Sequence, residues 1–81
     1  MSGLSALTHL KARSDALQTD SAAASAAFKR FWAVALPHFE QHGAPQDVIA
    51  AGAVFSAAYS AFGHSAVAFG EALSAFVEND L

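Results

Sequence analysis

Phenylalanine recurs at intervals of seven residues in the second half of the chain, at Phe55, Phe62, Phe69 and Phe76. A large apolar residue repeated at one heptad position is typical of a helix that lies along another helix. The residues three positions after the first three rings are small, namely Ala58, Ser65 and Ala72. They leave room for a neighbouring helix. The repeat therefore predicts a long second helix, at about 46–79, whose Phe stripe is a packing seam.

The second helix is also small or apolar on most of its other sides. Five of the apolar residues outside the seam are Val54, Tyr59, Ala61, Val67 and Leu73. A helix that is covered on one side only is normally polar on the opposite side. One neighbouring helix can cover only one side, so this pattern indicates a second contact. We expect that contact to be with another protein or with another copy of the chain.

The first half of the chain carries one apolar stripe at steps of three and four residues, with most charged residues off it. Its members are Leu7, Leu10, Leu17, Ala24, Phe28, Phe31 and Ala35. The stripe predicts an amphipathic first helix at about 4–36. Thr19, Asp20 and Ser21 are good N-cap residues, so a break near residues 19–21, giving a short first helix, is an alternative.

The connection between the two helices is predicted at about 37–45. Pro37 lacks an amide N–H and crowds the carbonyl four residues earlier, so it is expected to end or kink the first helix. Gly43 suits a helix stop, and Pro45 suits the first turn of the next helix. A short link between two long helices gives an antiparallel hairpin. The predicted fold is all-α, with one helical-hairpin domain spanning residues 1–81.

The composition indicates that this hairpin needs a partner. Of its 81 residues, 54% are hydrophobic, but many are alanine, which buries little surface. The chain has no cysteine, so it contains neither a stabilising disulfide nor a thiolate site. Association is the remaining source of stability for so small a chain. We therefore expect the hairpin to complete a bundle, with itself or with another protein.

Charge and spacing argue against several function classes. The net charge is −3, and the four Lys and Arg residues are scattered, which does not suit binding to a run of phosphates in nucleic acid. No paired carboxylates, Gly-rich phosphate loop or nucleophilic triad can be assembled from the spacing. We predict a non-enzymatic protein without a cofactor or a small-molecule substrate.

Residues 48–70 carry no formal charge and are long enough to cross a bilayer. Insertion favours Leu, Ile, Phe and Val, whereas this run is rich in Ala, Gly and Ser, so membrane association is not expected. The first residues lack the basic region and the continuous apolar stretch of a signal peptide. We expect synthesis in the cytoplasm, with secretion only by a leaderless route.

Two histidines near the turn, His38 and His42, stand at the i, i+4 spacing that places two metal ligands on one helix face. The zincin pattern requires Glu directly after the first His, and Phe39 stands there instead. The simpler interpretation is two polar residues in a solvated turn. A metal-binding or ligand-binding bundle that uses these histidines is retained as an alternative.

Trp32 is the one tryptophan, and it directly follows Phe31 on the apolar stripe. Adjacent helical residues point about 100° apart, so the two side chains cannot face the same neighbour. Trp32 either covers the core near the turn or protrudes and anchors a partner. The predicted partner-binding residues are Trp32 and the four Phe of the stripe.

Taken together, these features resemble the WXG (ESX-type) superfamily of small helical hairpins exported by type VII secretion systems. The resemblance rests on two long Ala-rich helices, the lack of a signal peptide, Trp32 before the turn, and the spacing of Phe76 and Asp80. That family ends its second helix with Tyr, three residues and an acid; Phe replaces Tyr here, and Trp32-Ala33-Val34 replaces Trp-x-Gly. The resemblance implies a dimer of hairpins packed as a four-helix bundle, with Phe76 and Asp80 in an export signal.

The chain is also similar to type III needle and rod subunits in its length and in its helical hairpin with a Pro-containing turn. That resemblance implies a subunit of a helical filament or of a larger particle. Both resemblances imply a protein that acts by association.

Overall fold

Two long helices make up the described part of the chain. The computed structural model describes residues 3–41 and 45–80, and the side chains at positions 3, 39, 41 and 80 are outside the description. Helix α1 spans Gly3–Gln41 and helix α2 spans Pro45–Asp80. They pack along each other in a body with extents of 60 × 14 × 13 Å. The predicted all-α helical hairpin is confirmed.

Helix α1 has no break at residues 19–21, because all three lie inside the helix. Thr, Asp and Ser favour helix ends when their side chains bind nearby backbone groups. Asp20 instead accepts a hydrogen bond from the Ser65 hydroxyl of α2. A tertiary contact thus replaces the local cap, and the surrounding alanines are strong helix formers.

The predicted end of the first helix near residue 36 requires correction, because α1 continues through Pro37 to Gln41. A proline inside a helix removes one intrahelical hydrogen bond, and the residues after it can still bond to carbonyls one turn earlier. Helix α2 begins at Pro45, where a missing N–H costs nothing, and carries Asp47 in its first turn. The remainder of the predicted turn, residues 42–44, lies outside the described residues.

Alanines form the most deeply buried part of the hairpin. Ala24, Ala27, Ala35 and Ala51 are buried, and Ala35 is completely inaccessible to solvent. Among the described residues, no large side chain is fully buried. Small side chains allow the two helices to approach closely, but each contributes little apolar area. The hairpin by itself therefore has a thin core.

The Phe stripe of α2 lies along the contact with α1. All four rings are half-buried, and so are the small residues that follow the first three of them. Outside the seam, Val54 and Val67 remain 61% and 62% exposed. The heptad pattern therefore identified the side of α2 that α1 covers. It also identified the sides that α1 leaves uncovered.

Candidate interaction surface

Among the described side chains, six aromatic rings form a continuous cluster across the two helices: Phe28, Phe31, Trp32, Phe55, Tyr59 and Phe62. Phe55 is at its centre. Its ring centroid lies 5.5 Å from that of Phe28, 6.4 Å from that of Phe31 and 5.9 Å from that of Tyr59. Rings at these separations attract one another beyond the effect of area burial. The cluster joins α1 to α2 in the half of the hairpin near the turn.

Trp32 packs on aromatic neighbours of its own helix and also faces solvent. Its ring lies edge-on to Phe31 at 5.4 Å and to Phe28 at 6.4 Å, and 42% of the residue is exposed. Both interpretations of Trp32 thus describe part of its environment. The ring is fixed in orientation by its contacts and still has surface available to a partner.

A second stripe runs along α2 beside the Phe seam, at steps of three and four residues. We call it the outer stripe; its members are Gly52, Ser56, Tyr59, Gly63, Ala66, Gly70, Leu73 and Val77. None of them is charged, and Tyr59, Leu73 and Val77 are 61%, 41% and 52% exposed. The outer stripe is therefore a largely uncovered surface in which three large residues stand among five small ones. Gly52 and Ala66 are half-buried, and a Cβ atom on Gly52 would lie 3.6 Å from the Phe31 ring of α1.

Two glycines of the outer stripe have no packing role within the hairpin. A Cβ atom added to Gly63 or Gly70 would meet no atom within 4 Å. Glycine inside a helix costs about 1 kcal/mol relative to alanine. Neither residue gains a close contact with α1 that would offset this cost.

Helix α1 adds uncharged residues on the same side of the hairpin. Leu7, Ser14, Ser21 and Phe28 recur every seven residues, and Phe28 contacts Phe55 beside Tyr59. Trp32 extends this row toward the turn. The outer stripe and this α1 row together form what we call the uncharged side.

The opposite side of the hairpin carries opposed charges. Arg30 of α1 and Asp47 of α2 line one open groove, and Arg13 and Glu71 line another. By heptad position, Glu78 also projects toward this side of α2. The two sides therefore differ in character, one apolar and one charged.

A polar contact interrupts the seam near the middle of the hairpin. Ser65 donates a hydrogen bond to the carboxylate of Asp20, and both residues are partly buried. The sequence suggested Asp20 as a helix cap and Ser65 only as a small residue of the seam. A heptad through Leu10, Leu17 and Ala24 would have placed position 20 on the seam. The heptad of the first helix could therefore have indicated that Asp20 faces α2.

The histidine pair can be located only in part. His38 is half-buried in α1, whereas His42 lies outside the described residues. Within residues 3–41 and 45–80, no group of three or more metal-binding side chains is found.

The candidate export signal lies at the end of α2. Phe76 is half-buried and lines the groove that contains Arg13 and Glu71. Asp80 is the last residue of α2, and its side chain is outside the description. Phe76 therefore has a packing role in the hairpin.

Helix α2 is long and apolar enough over Pro45–Asn79 to span a membrane, by length and composition. Helices that are covered by protein meet the same criterion. No family model, curated protein or solved structure matches the chain.

Proposed function

We propose that this protein is a non-enzymatic interaction subunit whose hairpin pairs through its uncharged side to complete a four-helix bundle. The observation that carries this proposal is the distribution of apolar side chains. Among the residues that the structure describes, eleven large hydrophobic residues are exposed and the buried hydrophobic residues are four alanines. A surface of this kind is typical of a protein-binding site.

Pairing would stabilise a hairpin that has a thin core of its own. Small domains bury a low fraction of their surface and are correspondingly marginal in stability. In a four-helix bundle, the Phe stripe and the outer stripe of α2 would both be covered, as its composition requires. Pairing therefore supplies the apolar burial that the isolated hairpin lacks.

The finer form of the proposal is a partner protein of type VII secretion, similar to the WXG superfamily. Its support is the helical hairpin, Trp32 near the turn, and a helix that ends at Asp80, four residues after Phe76. A subunit of a helical filament is the second candidate. It is favoured by Val54 and Val67, which are exposed outside the uncharged side and offer a further contact.

Sedimentation velocity and light scattering at micromolar concentration test the proposal. We expect a discrete complex, because pairing covers the uncharged side and leaves the charged side in water. Growth into particles without a defined size would favour the filament instead. A cooperatively folded monomer that also binds no other protein would contradict an association role altogether.

The export hypothesis predicts that Asp80→Ala stops secretion from the native host while the helical content stays unchanged. The reason is that the acid at this spacing would be read by the export machinery. Glu78→Ala is the matched control, since it removes an acid two residues away. Normal secretion of the Asp80→Ala protein would rule this signal out.

A further inference from the structure

We infer that the partner on the uncharged side is a second copy of this chain, with the two α2 helices antiparallel and related by a two-fold axis between residues 64 and 65. This inference rests on the proposed function and adds the partner and the register. A two-fold interface requires a surface that is complementary to itself. The outer stripe of α2 has this property.

The self-complementarity is one of side-chain size. With the axis between residues 64 and 65, an antiparallel copy places Tyr59 opposite Gly70 and Leu73 opposite Ser56. The small residues Gly63 and Ala66 meet at the axis, and Val77 is level with Gly52, which is half-buried beside Phe31 of its own hairpin. Each large side chain thus faces a small one, as interdigitated helix packing requires. Gly70 then has a role, because a Cβ there points into the space that Tyr59 of the second copy fills.

Helix α1 independently supports the same axis. The Asp20–Ser65 hydrogen bond places residue 20 of α1 at the height of the axis. Leu4 and Leu36 lie sixteen residues on either side of residue 20, and Leu7 and Trp32 lie thirteen and twelve residues away. All four are exposed in the hairpin. The two-fold rotation therefore places Leu4 and Leu7 of one copy opposite Leu36 and Trp32 of the second copy.

Charge and area are also consistent with a second copy. The outer stripe is uncharged from Gly52 to Val77, so no like charges meet between the two α2 helices, and their antiparallel dipoles oppose each other favourably. Between the two α1 helices, the register that sets Leu4 opposite Leu36 brings Lys11 level with Lys29 of the second copy. Lys11, at the edge of the α1 row, is paired with Asp15 at 2.5 Å. A face 60 Å long and 14 Å wide offers roughly 800 Å² per copy, about the area of a standard stable interface.

A contact between α2 and α1 of the second copy matches large side chains to small ones less well. In that arrangement each residue of α2 faces the part of the second α1 that is level with it within one hairpin. Gly63 then lies near Ser21, and Gly70 lies near Ser14. Small residues would then face small residues at both glycines, whereas in the α2-to-α2 register only Gly63 faces a small residue, Ala66, and Gly70 faces Tyr59. Such contacts leave voids, which cost packing energy. The observations therefore favour the α2-to-α2 contact.

Cysteine cross-linking tests the register directly, because the chain contains no cysteine of its own. Full-length Ser56→Cys and Leu73→Cys proteins are mixed and oxidised under mild conditions. We expect a disulfide between the two variants, and little between two copies of either one, since identical positions lie about 25 Å apart along the helix at ~1.5 Å per residue. The control pair is Ala61→Cys with Ala68→Cys, which has the same register on the charged side. Cross-linking of the control pair, or none between the first two variants, would overturn the inference.

The size pattern is tested by Gly70→Leu. Open space surrounds Gly70 in the hairpin, so the added side chain should leave the helical content unchanged while it clashes with Tyr59 of the second copy. We expect the dimer dissociation constant to rise roughly tenfold to hundredfold. In a Tyr59→Ala background the same change should have little effect, because the clash is gone.

The control for this experiment is Ala61→Leu, which adds a side chain to the charged side and should not change the dissociation constant. An unchanged dissociation constant for Gly70→Leu would overturn the inference. Binding of the chain to a different protein without self-association would also overturn it, while the proposed function would stand. A folded monomer that binds nothing would contradict both, and sedimentation separates these results.

Discussion

Phe55→Ala is expected to lower the free energy of unfolding by about 2–3 kcal/mol, less than the ~3–5 kcal/mol of a fully buried Phe, because the ring is half-buried. Phe55 is the ring through which the aromatic residues of α1 meet those of α2, with contacts to Phe28, Phe31 and Tyr59. Its loss removes apolar burial and several aromatic pairs at once, each worth about 0.5–1.5 kcal/mol. Urea unfolding followed by circular dichroism, at one fixed protein concentration, measures the effect.

Val54→Ala is the matched control, because Val54 is the adjacent residue and is 61% exposed outside the cluster. Its replacement should cost about 0.5 kcal/mol or less. If the two variants unfolded at the same urea concentration, the aromatic cluster would not be the main link between the helices.

Ala35→Leu is expected to destabilise the protein by about 1–3 kcal/mol. Ala35 is completely buried at the contact between the helices, so a larger side chain must push α1 away from α2 or adopt a strained rotamer. Thermal unfolding at fixed concentration measures the change.

Ala33→Leu provides the comparison, since Ala33 is exposed two residues earlier on the same helix. Leucine and alanine both have high helix propensity, so this variant should unfold near the temperature of the wild type. Equal melting temperatures for the two leucine variants would show that the helices are not closely packed at Ala35.

The seam was the most predictable part of the fold. Phe55, Phe62, Phe69 and Phe76 mark the side of α2 that lies along α1, because a heptad repeat places them on one face whatever the partner is. The surplus of apolar residues outside the seam was equally visible, and Tyr59 and Leu73 are exposed. A pattern of burial is thus readable from helical periodicity.

The ends and interruptions of the helices were less predictable. Pro37 lies inside α1 and Asp20 does not cap a helix, although the local preferences of both residues indicate otherwise. Local propensity amounts to one to a few kcal/mol, and a long helix in contact with a second helix can offset it. Such outcomes depend on residues distant in sequence, as Ser65 is from Asp20.

The sequence by itself determined that the chain is a helical hairpin and that α2 has more apolar surface than one neighbour can cover, because both follow from the spacing of side chains on a helix. Only the tertiary structure decided which residues meet across the hairpin. The Asp20–Ser65 bond and the rings around Phe55 set the heights of α1 and α2 relative to each other. That alignment depends on the position of one helix along the other. A seven-residue repeat does not determine this position, because a shift by seven residues preserves the pattern. The tertiary structure also showed that a Cβ atom added to Gly63 or Gly70 would meet no atom within 4 Å.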